Sequence, residues 1–261
     1  MNFFWLYDLP SWLFAILCIS FFIIFAVAGL FILRPFISRR VIPQAHNDIV
    51  SYFMAGMNAI YGITLGLIAV AAWENFADLD DTVSREAAAL SALYQDARII
   101  PNPVGDSLRG ALREYTRYTI EEAWPQQRKG ILPIGGTARL TVFQNILLRF
   151  DPISKNQEIM IAEIYRQFNH LIEIRRIRLQ GTDTGLPASV WFVIFFGAML
   201  NIVITWFFVT DKFRVHLLMT ALFAGLLGSL FFLVAAMDNP FRGQFGVGPE
   251  AFEIVYDNMK R

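Results

Sequence analysis

Side chains able to do chemistry are sparse in this sequence. His46, His170 and His216 lie far apart, and none stands at metal-ligand spacing with carboxylates. His46, within His46-Asn47-Asp48, reads either as a functional group or as a polar cap ahead of an apolar stretch. Asp78, Asp80 and Asp81 gather three carboxylates that could attract a cation. Calcium prefers an oxygen-rich loop, however, and these residues fall in a helical pattern, where a solvated face is the plainer reading. Arg85 with Glu86, and Glu114 with Arg117, read as ordinary helix-surface charges. No phosphate-binding loop, dinucleotide fingerprint or nucleophile elbow occurs. The single cysteine, Cys18, lies in an apolar stretch, so a disulfide framework and a thiolate metal site are both excluded. No catalytic residue, metal site or cofactor is expected, and the chain is read as a non-enzyme.

The most specific constellation is a stripe. At about 100° per residue, Ser51, Ala55, Asn58, Gly62, Gly66 and Ala69 fall within a narrow arc that continues to Trp73, so small and polar groups share one helix face. Gly62 and Gly66 also form a G-x-x-x-G pair. Small residues in lipid let backbones approach closely, which makes helix packing one reading; pore lining in an oligomer is the other. A second small stripe, Ala221, Gly225 and Gly228, and a polar pair, Asn201 and Thr205, lie further along. Asn58 and Asn201 are costly at bilayer depth, so each amide should find a partner, by default across helices and otherwise in an ion or water.

These residues must be positioned by membrane helices. Four uncharged apolar runs, Leu9 to Leu33, Ile49 to Trp73, Thr184 to Thr210 and Val215 to Met237, are each long enough to cross a hydrocarbon core about 30 Å thick. In lipid the backbone must satisfy its own hydrogen bonds, so the runs should be helices. The expected fold is all-α: four transmembrane helices in two pairs, with a helical extramembrane layer between the second and third. The corresponding parts are residues 1–73, 74–183, 184–237 and a tail over 238–261. Most charged side chains lie in the 74–183 layer. The first run lacks a basic leader and a small-residue cleavage site, so it is expected to remain a membrane helix. Formal net charge is zero without a basic tail, which argues against nucleic acid as a partner.

No proline interrupts Ile49 to Ile100, so the second span should continue beyond the membrane as one helix of roughly 75 Å. Its outer part repeats Phe76, Leu79, Val83, Ala87, Leu90, Tyr94 and Ala97 at helical spacing, giving an apolar stripe. Further helices are expected from Asp106, as N-cap, to Trp124, stopped by Pro125; from Thr137 to Phe150 after a loop over 125–136; and from Ser154, with Gln157 completing a capping box, to near Gly181. Arg175, Arg176 and Arg178 then complement the helix dipole and could meet lipid phosphates. Trp12, Trp73 and Trp191 would mark one membrane face. Arg34, Arg39, Arg40, Lys212 and Arg214 on one side oppose Arg85, Arg175, Arg176, Arg178 and Arg242 on the other, so the charge count ties, and only the first span favours an external N-terminus.

After the fourth span, Asp238-Asn239-Pro240-Phe241-Arg242-Gly243 resembles the Asn-Pro-Phe-Gly segment that follows the last membrane helix of bestrophins, a family of chloride channels. With Glu86-Ala87, Glu122-Ala123-Trp124-Pro125 and Gly248-Pro249-Glu250-Ala251-Phe252, the chain is more closely similar to a bacterial bestrophin-like membrane family of unknown function. The resemblance covers roughly His46 to Tyr256, and Asn239, Pro240, Phe241 and Gly243 are its motif turn. It implies a homo-oligomer, a pentamer if bestrophin-like, in a bacterial inner membrane, with the Asn58 helix lining a chloride pathway and the central layer cytosolic. That orientation is adopted over the one suggested by Arg34, Arg39 and Arg40. Two features depart from the family. The small stripe replaces a bulky hydrophobic neck, and Gln244-Phe245-Gly246-Val247 replaces an acidic calcium clasp, so calcium gating does not carry over. The alternative to an anion channel is a non-conducting membrane scaffold or signalling protein whose helical layer binds a protein partner.

Overall fold

The computed structural model describes residues 4–37 and 44–260. The architecture is all-α, with no strand among the described residues. In chain order the helices are α1 (Ser11–Ile37), α2 (Gln44–Ala97), α3 (Val104–Tyr118), α4 (Trp124–Arg128), α5 (Gly135–Leu148), α6 (Lys155–Gln180), α7 (Ala188–Thr205), α8 (Phe213–Asp238) and α9 (Glu250–Lys260). Four of them, α1, α2, α7 and α8, are long and apolar enough to cross a membrane. α2 is unbroken over 54 residues, as the absence of proline allows. Arg39 and Arg40, part of the charge count above, lie outside the described residues.

The chain forms two compact units. The first holds the described residues up to Glu74, with 185–238 and 243–245. Although α1 and α2 are neighbours in sequence, α1 packs chiefly on α8. The small stripe of α8 explains why: a Cβ added at Gly228 would lie 2.8 Å from the Ile19 Cα, so the two backbones touch there. Trp206 covers Gly29 and donates its indole N–H to the Ala26 carbonyl (2.9 Å), tying α1 to the end of α7. Tyr61 of α2 lies over Gly197 and donates to the Ile194 carbonyl (2.8 Å). α7 is shorter than the uncharged run that contains it, because Pro187 sets its start and the chain turns after Thr205.

The second unit holds 75–184, 239–242 and the described residues from 246 onward. The apolar stripe of α2 from Leu79 to Ala97 is buried here against Leu108, Leu112, Phe143, Phe168 and Leu171. α6 begins as expected: the Ser154 hydroxyl accepts from the Gln157 N–H (3.4 Å), while the Gln157 side chain accepts from Ile153 rather than from Ser154 itself (2.7 Å). Three boundaries differ from the sequence expectation. α3 starts at Val104, and Asp106 sits inside its first turn, where it pairs with Arg109. Pro125 does not stop the helix, because Thr119–Ala123 widens into a π turn and the chain continues as α4. The Trp124 N–H reaches back five residues to Thr119, and this wider turn accommodates a ring that has no N–H to donate. The Gly135-Gly136 pair opens α5 instead of ending a loop, under the ring of Tyr118 and beside Arg175.

Candidate functional site

The small stripe lies on α2 within the first unit. Ser51, Ala55, Gly62 and Gly66 are exposed, while Asn58 and Ala69 are partly buried. A Cβ added at Gly62 or Gly66 would meet nothing within 4 Å, so the close approach that G-x-x-x-G permits is not used inside the chain. Between α2 and α8 the stripe borders a groove of about 230 Å³, lined by Asn58, Tyr61, Gly62, Leu65, Gly66 and Ala69 on one side and Leu226, Leu227 and Leu230 on the other. The opposite face of α2 exposes Phe53, Ile60, Ile63, Leu67 and Val70. α2 therefore presents two uncovered faces, one bulky and apolar, the other small with a single amide at Asn58. No charge lies in the groove lining, so its chemistry is that of an amide among hydrocarbon: N–H donors for an anion, or a carbonyl for a cation or water.

Asn201 and Thr205 are buried in α7, and the expected interhelical pairing of Asn201 is not formed. Its amide N–H bonds within its own helix to the Gly197 carbonyl (2.8 Å), and its Oδ1 has no partner among the described residues. A carbonyl one turn back is always within reach of a helical side chain, and the buried α7 neighbours Ala198 and Ile202 carry no side-chain polar group. Thr205 likewise bonds locally, to the Ile202 carbonyl (2.6 Å), and its own carbonyl meets His216 (2.9 Å). His46 lies within the first turn of α2 rather than ahead of it, with its ring at 3.1 Å from the Phe207 carbonyl. Beside it Asn47 makes a two-way pair with Val209, donating to the carbonyl (2.7 Å) and accepting the N–H (3.0 Å), which pins the start of α2 to the α7–α8 connection. Trp191 donates to the Asp238 carboxylate (3.2 Å), which also accepts the Leu186 N–H ahead of α7.

The second unit holds a site that sequence reasoning treated as surface. Glu86 is fully buried, and so is Arg178. Their pair is two-pronged, Nε to Oε2 at 2.6 Å and Nη2 to Oε1 at 3.2 Å. Tyr115 donates to Glu86 (2.7 Å), and Gln127 accepts from Arg178 while donating to Thr182 (3.0 Å). Burial alone would depress the guanidinium, but the Glu86 carboxylate against it holds its pKa above the usual arginine value. Burial first, then the Glu86 charge, pushes the Tyr115 phenol well above its ordinary range. The guanidinium lies 5.4 Å from the Trp124 ring and 5.6 Å from the Phe252 ring. Arg85, by contrast, is exposed and pairs with Asp81 (2.5 Å). Arg175 is also buried rather than facing lipid or solvent, and reaches Thr137 (3.3 Å). The three-carboxylate run behaves as a solvated face: Asp78, Asp80 and Asp81 are exposed, and no metal-binding cluster occurs among the described residues.

Around this ion pair the motif residues meet. Phe241 packs edge-on against Trp124 with centroids 5.5 Å apart, and Phe252 lies 5.7 Å from the same ring. The Trp124 indole donates to the Val247 carbonyl (3.2 Å), and the Val247 N–H closes the turn on the Pro240 carbonyl (2.7 Å). Asn239 accepts from the Arg242 N–H (2.9 Å), and Gly243 adopts φ +77°, a conformation that glycine takes without strain. The short motifs, far apart in sequence, are thus parts of one buried joint. The model of the bestrophin-like domain matches residues 20–252. The chain belongs to the bestrophin-like domain family. Among solved structures, this bestrophin-like chain is similar to a bacterial bestrophin homologue from Klebsiella pneumoniae determined by Zn-SAD phasing, with a TM-score of 0.68 at 12% identity, covering 94% of this chain and 96% of that one. A point variant of a bestrophin homologue from the same organism gives 0.67 at 13%, covering 94% and 97%. A crystal structure described as a membrane protein variant gives 0.72 at 13%, covering 92% and 95%. At such identities the likeness is one of fold. No curated protein sequence matches the chain.

Proposed function

We propose that this bestrophin-like protein is a homo-oligomeric anion channel of the bacterial inner membrane, a pentamer in the bestrophin manner, whose α2 stripe lines a chloride pathway. The observation that carries this reading is the second uncovered face of α2. Only 6% of its apolar stretch is buried, against 28% for each of the other three spans. The bulky face suits lipid. A face of Ser51, Ala55, Asn58, Gly62 and Gly66 offers lipid little apolar contact, and it suits a hydrated path or a neighbouring subunit better. Asn58 supplies the one side-chain amide, whose N–H groups can meet a partly hydrated anion.

The test compares Asn58→Ala and Asn58→Leu with the parent protein in liposomes, reading chloride flux and oligomer state together. Altered flux from an intact oligomer supports the pathway. Weakened association, by about 1 kcal/mol for one intramembrane hydrogen bond, with unchanged flux per oligomer would make Asn58 an interface residue. Well-folded parent oligomers that pass no anion would remove the channel and leave a membrane scaffold.

A further inference from the structure

Between α4 and α5 a short loop turns its apolar residues outward. Ile131 and Leu132 are more than half exposed and Ile134 is 81% exposed, although Trp124 and Gln127 just before them are buried. Arg128 and Lys129, next to this triplet, are exposed, and neither enters a salt bridge among the described residues. Clustered branched apolar side chains beside unpaired cations mark a contact surface.

Two hydrogen bonds tie this loop to the points where the chain meets its spanning helices. The Lys129 carbonyl accepts from Arg242 (3.1 Å), and Arg242 stands four residues beyond Asp238, the last residue of α8. Gln127 donates to Thr182 (3.0 Å), and Thr182 stands six residues ahead of Ala188, the first residue of α7. Fully extended segments of those lengths reach at most ~14 Å and ~22 Å. Both anchors of the loop are therefore joined to membrane-crossing helices by only a few residues of chain.

We propose that Arg128–Ile134 docks on the bilayer surface itself. Ile131, Leu132 and Ile134 enter the boundary between headgroups and acyl chains, and Arg128 and Lys129 meet the phosphates of anionic lipids. Apolar residues at that depth with cations at headgroup level are the pattern of interfacial segments. Lipid fits better than a neighbouring copy, because a protein surface would have to supply two carboxylates for Arg128 and Lys129, whereas an anionic leaflet supplies charge everywhere. The loop thus gives the helical layer a lipid-dependent seat, independent of whether the protein conducts.

The test uses the full chain with Cys18→Ala and Leu132→Cys, labelled with an environment-sensitive fluorophore, with Ile134→Cys as a second labelling site. The protein is placed in phosphatidylcholine liposomes with and without phosphatidylglycerol, carrying nitroxide on either headgroup class. Blue-shifted emission is expected, quenched more by nitroxide-labelled phosphatidylglycerol than by the zwitterionic lipid. That preference should fall about fivefold for each of Arg128→Gln and Lys129→Gln. Water-like emission at both sites would overturn the proposal. So would blue-shifted emission that no lipid nitroxide quenches, which would place the loop against protein, or equal quenching by both lipids, which would remove the anionic partner.

Discussion

Glu86→Ala is the most exacting perturbation of the second unit. It removes the carboxylate opposite Arg178, whose side chain is 1% exposed. The cation would keep the Gln127 oxygen, the Tyr115 hydroxyl and the two aromatic faces, and Tyr115 would lose its carboxylate acceptor. Breaking a buried pair from one side leaves an uncompensated charge and costs about 3–5 kcal/mol. By the scaling of soluble domains, at about 2–4 °C per kcal/mol, the melting temperature should fall by roughly 6–20 °C. Removing both charges together, as Glu86→Leu with Arg178→Met, should recover much of that loss, since a packed apolar pair avoids desolvating ions. Thermal unfolding in detergent, followed by tryptophan fluorescence, measures the parent and both variants. The reasoning fails if Glu86→Ala melts with the parent, or if the double variant melts no higher than Glu86→Ala.

The alkaline limb should report Tyr115. Its phenol is raised in the folded state, so the native protein holds a proton that the unfolded chain releases near pH 10; stability should be full below that pH and decline above it, and Tyr115→Phe should flatten the decline in a pH series of melts. Gly228→Ala should loosen the α1–α8 contact and lower the melting temperature, because its new Cβ meets the Ile19 backbone, whereas Gly62→Ala should leave the single chain's stability intact; equal losses would contradict the packing described. An alkaline phosphatase fused after Gly130 should be inactive if the helical layer is cytosolic. Strong activity would reverse the orientation in favour of the arginines after the first span.

The spans were legible because lipid imposes a rule that a single sequence displays directly: long runs without charge. The inner stripe of α2 was equally plain, since Leu79 to Ala97 repeat at helical spacing and that face is buried. What local patterns concealed was partnership. Glu86 lies three residues after Val83 and four before Leu90, on the buried arc, and that periodicity was a signal for its burial; its partner stands 92 residues away, beyond any local pattern. Pro125 misled for a related reason, since a helix-stopping residue is tolerated when a preceding π turn widens the backbone. The packing of α1 on α8 rather than on α2 depends on the shapes of distant small residues such as Gly228, which spacing alone does not pair.

Conduction is tested most directly by current through the purified parent oligomer in a planar bilayer under a chloride gradient. An anion channel should carry discrete currents whose reversal potential follows chloride. Currents that reverse at the cation potential, or a well-folded oligomer that stays silent, would contradict the proposed function.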